Sequence, residues 1–339
     1  MSKATLYAAS VVLLAGIVYA IATLNSPTHI ETAERALAVG DNEAAIRAFR
    51  SHLVRYPAAT DVRMKLAGLM ASVDPAQAVE HLRLIPEEAA SYNDALRQIA
   101  FICLKADQHQ PAEEALLRLE ARNAEDFAVQ LSLAELYFHQ ENYKSALTRA
   151  VHATNLQPDR AETWLLVAEI RDGLRQKPEM IAPLQKAIEL APDLYDAHLN
   201  LAYAYHAAGD LSGAATEARW CLQRNPNEVF ALQILSSVAR DEGRFDDAAE
   251  GVKKALSLSP RDVDCRILEA DLLLYHRKPK EAYARLKELR EEHTETYRYL
   301  GSLARAAAAS GHIDEARQIH LALDSLRSDA NRMIPQVSP

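Results

Sequence analysis

The chain has 339 residues, of which 49% are hydrophobic and only 6% aromatic, and its formal net charge is −9. Because no block of lysine and arginine interrupts this acidic background, the phosphates of a nucleic acid would meet mostly repulsion, and we expect no nucleic-acid partner. The abundance of alanine and the lack of alternating apolar and polar residues favour closely packed helices and argue against a β-sheet protein.

The first predicted element is an apolar run at residues 4–24 that contains no charged side chain. A helix rises about 1.5 Å per residue, so a run of this length spans the roughly 30 Å hydrocarbon core of a bilayer. We therefore expect residues 1–25 to form a single transmembrane anchor.

A cleaved secretory signal is the alternative interpretation of this segment. Lys3 provides a positively charged start, and the Ala-Ile-Ala sequence at residues 20–22 resembles a small-x-small cleavage site. Cleavage after Ala22 would release a soluble periplasmic binding protein. The apolar run is longer than the roughly 7 to 15 residues of a typical signal core, which favours the anchor.

The charges on either side of the apolar run predict its orientation. Lys3 precedes the run, whereas the first lysine or arginine after it is Arg35, which follows Glu31 and Glu34. Since basic residues are enriched on the cytoplasmic side of a membrane, we expect the rest of the chain to lie outside the cytoplasm. The corresponding location is a bacterial inner membrane, with the main domain in the periplasm.

After this segment the sequence repeats with a period of 34 residues, which predicts helix pairs. Prolines mark the register at Pro158, Pro192, Pro226 and Pro260. A small residue recurs at one position of every repeat: Ala33, Ala67, Ala100, Ala134, Ala168, Ala202, Ser236, Ala270 and Ala304. A second small residue recurs twelve residues further on, at Ala45, Ala112, Ala146, Ala214, Ala248, Ala282 and Ala316. In the other two repeats, a one-residue deletion displaces the alanine to Ala78, and Met180 replaces it. Small residues at fixed places let two antiparallel helices pack closely.

Between the two small residues, Gly40, Gly209, Gly243 and Gly311 share one position, suited to the left-handed residue that ends a helix. This pattern resembles the tetratricopeptide repeat family. The resemblance covers residues 26–330 and implies an all-α fold, a right-handed α-solenoid of nine helix-turn-helix hairpins, followed by a flexible tail at residues 331–339. The implied repeats are residues 26–59, 60–92, 93–126, 127–160, 161–194, 195–228, 229–262, 263–296 and 297–330.

The fifth implied repeat, residues 161–194, departs most from the pattern. Pro178, Met180 and Pro183 crowd its second helix. Because an interior proline removes a backbone hydrogen bond, we expect a shortened or kinked helix there.

In this family, the first helix of each hairpin lines a concave groove that binds partner segments. The family's groove positions fall here on Phe101, Leu131, Phe138, His139, Leu165, Leu199, Tyr203, His206, Phe230, Ile267 and Tyr275. Acidic residues accompany them at Glu135, Glu162, Glu169, Asp172, Asp196, Asp264 and Asp271. The resemblance implies an extended or helical partner segment with apolar side chains, and basic residues would meet the acids.

The sequence contains no motif for a cofactor, a metal or a catalytic centre. It has no H-E-x-x-H, no C-x-x-C, no glycine-rich phosphate loop and no G-x-S-x-G element, so we expect neither enzymatic activity nor a bound cofactor. The resemblance implies a scaffold or assembly factor, in a bacterial envelope, secretion or polysaccharide-export complex. A second copy of the chain is another candidate partner, through the membrane helix or through Ile319, Leu323 and Leu326 of the last hairpin.

Overall fold

The computed structural model describes residues 28–293 and 296–333, and every regular element within these ranges is a helix. The α-helices are α1 (His29–Ala38), α2 (Asn42–Arg55), α3 (Thr60–Met70), α4 (Pro75–Arg83), α5 (Tyr92–Lys105), α6 (His109–Arg122), α7 (Phe127–His139), α8 (Tyr143–Leu156), α9 (Ala161–Gly173), α10 (Ile181–Leu190), α11 (Tyr195–Ala208), α12 (Leu211–Arg224), α13 (Val229–Asp241), α14 (Phe245–Leu258), α15 (Val263–Tyr275), α16 (Pro279–Lys287), α17 (Tyr297–Ser310) and α18 (Ile313–Met333). The chain divides into two compact units, one ending at His139 and the other beginning at Gln140. Unit 1 contains α1 to α7, and unit 2 contains α8 to α18.

Within each unit, helices that follow one another in the chain pack against each other. In unit 2 there is a second set of contacts, because the first helices of successive hairpins, α11, α13, α15 and α17, also touch one another in order. This layer of first helices is the arrangement that the repeat pattern predicts, in which each hairpin buries its apolar face against its neighbours.

The small residues that mark the repeats lie at the helix contacts. All eighteen residues at the two recurrent positions are buried, with at most 4% of their surface exposed. Ser236 and Met180, the two residues of this set that are not alanine, have 2% and 1% of their surface exposed. The prediction that paired helices meet at these positions is therefore confirmed.

The turn inside most hairpins contains one residue in the left-handed backbone conformation. Gly40, Gly209, Gly243 and Gly311 have φ between 76° and 94°, as their position in the repeat predicts. The same repeat position adopts φ near 60° in four hairpins that carry a larger residue there: Asp107, Glu141, Arg175 and Arg277. The left-handed turn therefore forms at this repeat position whatever the residue type. Glycine only lowers the conformational free energy that the turn costs.

The fifth repeat has the shortened second helix that its prolines predict. A 3₁₀ helix occupies Pro178–Met180, and α10 begins only at Ile181. Pro183 consequently lies in the first turn of α10, where a backbone N–H has no partner within the helix in any case. The helix is therefore shortened, and Met180 fills the buried position that alanine holds elsewhere.

The predicted transmembrane segment lies outside the described residues, as do the predicted boundary at residue 25 and the last residues of the tail. Among the helices that the structure does describe, none combines the length and apolar character needed to cross a bilayer.

Candidate functional site

In unit 2, the first helices of three successive hairpins present apolar side chains that are only half-buried. We call this set of four residues, Leu165 on α9, Leu199 and Tyr203 on α11, and Phe230 on α13, the inner face. Leu199 and Tyr203 lie one helical turn apart, so they share one side of α11. The rings of Tyr203 and Phe230 meet across the α11–α13 contact, with centroids 5.5 Å apart and planes at 52°. The structure thus brings together four of the residues that the family positions indicate.

The side chains of the inner face pack against the alanine-rich interior of unit 2. Leu199, Tyr203 and Phe230 pack against a cluster of buried residues that includes Ala202 and Ala231. Because small residues form the contact between the helices, the larger side chains of the first helices are displaced towards the surface. They are consequently fixed by packing on one side and open to solvent on the other.

Next to the inner face, the first helices also carry two carboxylates: Glu169 on α9 is half-buried, and Asp196 on α11 is exposed. Burial raises the pKa of Glu169 on α9, and the nearby Asp196 on α11 raises this pKa further. Within the described residues, neither carboxylate has a hydrogen bond or an ion pair. Burial and a nearby negative charge both favour the protonated form of Glu169.

A lysine of the chain already contacts one of the aromatic rings of the inner face. The ammonium of Lys177, in the turn that follows α9, lies 4.4 Å from the centroid of the Tyr203 ring. This is a cation–π distance, which shows that the exposed side of Tyr203 can accept a positively charged group.

Further along unit 2, the chain neutralises its own groove acids. Asp264 accepts a hydrogen bond from Arg298 at 2.7 Å, and Asp271 accepts one from Arg305 at 2.9 Å. Arginines of the next repeat therefore already pair with these two acids, which the repeat positions alone did not indicate. Each acid and its arginine are 34 residues apart, at the same repeat position of successive repeats.

Three other predicted groove residues of unit 2 are buried, or contact side chains of the chain itself. Ile267 is only 3% exposed and packs in the core between α15 and α17, so a partner cannot reach it. His206 lies 2.9 Å from a carboxylate oxygen of Asp241, the C-terminal residue of α13. Tyr275 is 58% exposed, but its ring stacks on Phe245 at 3.6 Å, at the turn end of its hairpin and not beside the inner face.

In unit 1 the predicted groove residues lie on α5 and α7. Phe101 is 57% exposed, and the ammonium of Lys105 covers its ring at 4.6 Å. Leu131 and Phe138 are half-buried on α7, and His139 is exposed at its end. The sequence did not indicate the cleft of about 450 Å³ beside them, which His139 lines together with Asp107, His109 and Glu135. Burial raises the pKa of Glu135, and His139 partly opposes this shift.

The acidic and histidine side chains of this cleft do not amount to a metal centre. Across residues 28–293 and 296–333, no three His, Cys, Asp or Glu side chains are grouped closely enough to hold a metal ion.

Comparisons with known proteins agree with the fold. Residues 239–302 match the family model for the tetratricopeptide repeat. Among solved structures, the chain is similar to PilW, described as a widely conserved type IV pilus biogenesis factor, with a TM-score of 0.50 and 20% identity over 63% of this chain and 98% of that one. It is also similar to a tetratricopeptide repeat protein from Parabacteroides merdae ATCC 43184, with a TM-score of 0.50 and 13% identity over 82% of this chain and 97% of that one.

A third similar structure is the APC/C hetero-tetramer Cut9-Hcn1, with a TM-score of 0.52 and 14% identity over 82% of this chain and 55% of that one. No curated protein matches the sequence. At these identities the similar structures show the fold alone, and the family match adds the repeat signature within unit 2. The 34-residue period and the match at residues 239–302 show that the chain contains the tetratricopeptide repeat, and the solved structures agree with its hairpin fold.

Proposed function

We propose that this protein is a membrane-anchored scaffold that holds partner proteins on the inner face of unit 2. The observation that carries the proposal is the row of half-buried side chains on α9, α11 and α13, which ends in the paired rings of Tyr203 and Phe230. Aromatic residues that are fixed by packing lose little entropy when a partner covers them, and such residues dominate protein interfaces. Tetratricopeptide repeat proteins bind other proteins, which supports this use of the surface.

The membrane part of the proposal rests on the apolar run at residues 4–24. We infer that this run anchors the chain in a bacterial inner membrane, with the repeats in the periplasm, and that the partners belong to an envelope, secretion or polysaccharide-export assembly. The likeness to PilW, a pilus biogenesis factor, supports an assembly role. The alternative is a soluble periplasmic binding protein released by cleavage after Ala22.

The scaffold role is tested by cross-linking the tagged full-length protein in cells and identifying the captured proteins by mass spectrometry. The inner-face variant is Tyr203→Ala with Phe230→Ala. The control variant is Leu258→Ala with Tyr297→Ala, which removes exposed apolar side chains elsewhere in unit 2. We expect the wild type and the control to capture the same membrane-associated partner and the inner-face variant to lose it. Equal capture by all three proteins would show that partners dock elsewhere.

The anchor is tested separately by fractionation and by amino-terminal sequencing of the mature protein. We expect the full chain in the membrane fraction, and a variant that lacks residues 1–25 outside it. An amino terminus near Thr23 would instead establish the cleaved, soluble form.

A further inference from the structure

We propose that one edge of unit 1 lies on the surface of the bilayer that holds the anchor. The inference rests on the membrane part of the proposed function and adds a second contact with lipid, made by the folded repeats. We call this surface the anchor-side edge. It consists of Val54, Arg55, Tyr56 and Leu84, all of which are exposed.

Only a short piece of chain separates the apolar run from the first helix. The run ends at residue 24, and α1 begins at His29, with its N-cap at Thr28. From residue 24 to residue 29 a fully extended chain covers at most about 18 Å, and the headgroups fill about 5 to 7 Å of that distance. The gap between the start of α1 and the headgroups is therefore no wider than about one helix diameter.

The end of α2 is the part of the first hairpin that extends furthest on this side. Helices α1 and α2 pack against each other and are joined by the turn at residues 39–41, so the end of α2 lies beside the start of α1. α1 has 10 residues and α2 has 14, and the end of α2 consequently projects about 6 Å beyond the start of α1. A bilayer that holds the anchor would meet residues 54–59 first.

The composition of this turn differs from that of the equivalent turns. Residues 54–59 have the sequence Val-Arg-Tyr-Pro-Ala-Ala, which contains no acid, whereas each of the other eight repeats has at least one acid in its last six residues. Leu84 extends the apolar surface to the end of α4 in the second hairpin, and Glu87 and Glu88 limit it there. An exposed apolar surface without acids is suited to contact with lipid.

Tyr56 and Arg55 are a pair of residues that fits the headgroup region. The ring of Tyr56 lies 4.8 Å from the ring of His52 and 5.7 Å from the guanidinium carbon of Arg55, measured between ring centroids and from the centroid. Tyrosine is enriched at the headgroup level because its ring is apolar and its hydroxyl is polar. Within the described residues no carboxylate pairs with Arg55, so its guanidinium is available to a lipid phosphate.

A contact with the second hairpin fixes the conformation of this turn. Arg63 of α3 donates two hydrogen bonds to the carbonyl of Pro57, from Nε at 3.1 Å and from Nη2 at 2.7 Å. A turn that is already ordered loses little conformational entropy when it meets another surface. The two residues before Pro57, Arg55 and Tyr56, are therefore presented to the bilayer in a prearranged form.

The opposite edge of the same hairpins has exposed valines but a different charge. Val39 and Val73 lie in the turns inside the first and second hairpins, and acids follow them at Asp41 and Asp74. Anionic headgroups attract basic side chains and repel acidic ones. Charge therefore favours the edge with Arg55, which is also the edge at which the chain leaves the apolar run.

The experiment measures the distance of each edge from lipid in the full-length chain. The protein is reconstituted in nanodiscs of phosphatidylethanolamine and phosphatidylglycerol, with or without a lipid that carries a nitroxide on its headgroup. An environment-sensitive fluorophore is attached to Val54→Cys or to the matched control Val39→Cys, at two positions that are 84% and 80% exposed at opposite ends of one hairpin. The native cysteines are buried, so the introduced cysteine takes the label.

We expect the emission from position 54 to shift to the blue and to be quenched by the nitroxide at least about two-fold more strongly than the emission from position 39, because α2 is about 20 Å long. Circular dichroism shows that each labelled protein is folded. Equal quenching at the two positions, or quenching at neither, would overturn the inference.

A second pair of variants tests whether the side chains make the contact. The label is placed on Leu84→Cys, and Arg55→Glu with Tyr56→Ser is added. The control is Arg35→Glu with Val39→Ser, which changes the charge equally at the opposite end of the first hairpin. We expect the first variant to lower the quenching at position 84 at least about two-fold and the control to leave it unchanged. Equal quenching in both variants would contradict a contact through Arg55 and Tyr56.

The same nanodiscs separate this inference from the anchor on which it rests. If the full chain enters the nanodiscs and position 54 is not quenched, the anchor holds and the contact with the bilayer surface is wrong. If the full chain does not enter them, the anchor fails, and the inference fails with it.

Discussion

The imidazole of His198 stacks on the indole of Trp220, with ring centroids 3.6 Å apart and planes within 15° of parallel. Each imidazole nitrogen also has an oxygen neighbour: Nδ1 lies 2.6 Å from the Glu217 carboxylate, and Nε2 lies 2.9 Å from the carbonyl of Pro192. Arg224 covers Trp220 as well, at 3.5 Å from its ring centroid. One histidine thus joins α11 to α12 and to the turn that follows α10.

Replacement of this histidine is expected to destabilise unit 2. His198 is 6% exposed, so His198→Ala leaves a cavity and deprives Glu217 of a partner. Loss of a hydrogen bond to a charged group and of an aromatic stack amounts to about 2 to 4 kcal/mol in the free energy of unfolding. Urea unfolding followed by circular dichroism measures the loss. The control is His320→Ala, at an exposed position of α18, and equal midpoints for the two variants would contradict the structural role of His198.

The contact between Gly251 and Ser236 inside the seventh hairpin gives a sharper packing test. A methyl group on Gly251 would lie 2.2 Å from Ser236 Oγ, whereas a methyl group on Gly68 of α3 would meet no atom within 4 Å. We expect Gly251→Ala to cost about 1 to 3 kcal/mol and Gly68→Ala to be neutral or to gain up to about 1 kcal/mol. Adding Ser236→Ala to Gly251→Ala should restore much of the loss, and thermal melts of all four proteins test this. A cost that Ser236→Ala leaves unchanged would show that the hydroxyl is not the obstacle.

The turn residue Arg277 offers a stabilising substitution. Its φ of 59° is left-handed, and at the equivalent position Gly243 has φ of 78°. We expect Arg277→Gly to raise the free energy of unfolding by about 0.5 to 1 kcal/mol, because glycine carries no steric cost in this region. The reverse change, Gly243→Arg, should lower it, and an unchanged or opposite pair of shifts in chemical unfolding would contradict this view of the turn.

Glu315 of α18 makes the last hairpin sensitive to acid. The hydroxyl of Tyr283 donates a hydrogen bond to its carboxylate, and Lys287 and Arg290 lie nearby, so that its pKa falls below the usual 4.5. A carboxylate with a lowered pKa contributes stability that is complete above about pH 4.5 and is lost as the pH falls through the folded-state pKa. Glu315→Gln should therefore destabilise the protein by about 1 to 3 kcal/mol at pH 7, with a difference that shrinks in acid.

The measurement for Glu315 is a series of urea unfolding curves between neutral and acidic pH. Asp314→Asn serves as the control, because the Asp314 side chain is 97% exposed and its distance to Arg317 is 3.9 Å. A difference between wild type and Glu315→Gln that does not change with pH would contradict the assigned role.

The sequence alone allowed the hairpin architecture to be predicted because the helix contacts depend on residue size at fixed spacing. Ala202 and Ala214, for example, are fully buried in the structure, and their role follows from their repeat positions. The left-handed turns at Glu141 and Arg175 were not predictable from residue type, because neither residue prefers that conformation. There the packing of the two helices determines the backbone.

The candidate site was only partly predictable, for a related reason. Repeat position indicates which side chains point to the inner side of the first helices, and it identified Tyr203 and Phe230. It does not indicate whether the next helix covers a side chain, as it does with Ile267, or supplies an opposite charge, as Arg298 does for Asp264. Those outcomes depend on contacts between repeats.

The central claim, that partners bind the inner face of unit 2, is tested most directly by site-specific photo-cross-linking in cells. A photoreactive amino acid is placed at Gln233, one turn from Phe230 on α13, or at Lys253, which is exposed on α14. We predict a cross-linked partner from position 233 that disappears when Tyr203→Ala is added, and none from position 253. A partner captured only from position 253, or one captured from position 233 regardless of Tyr203→Ala, would contradict the claim.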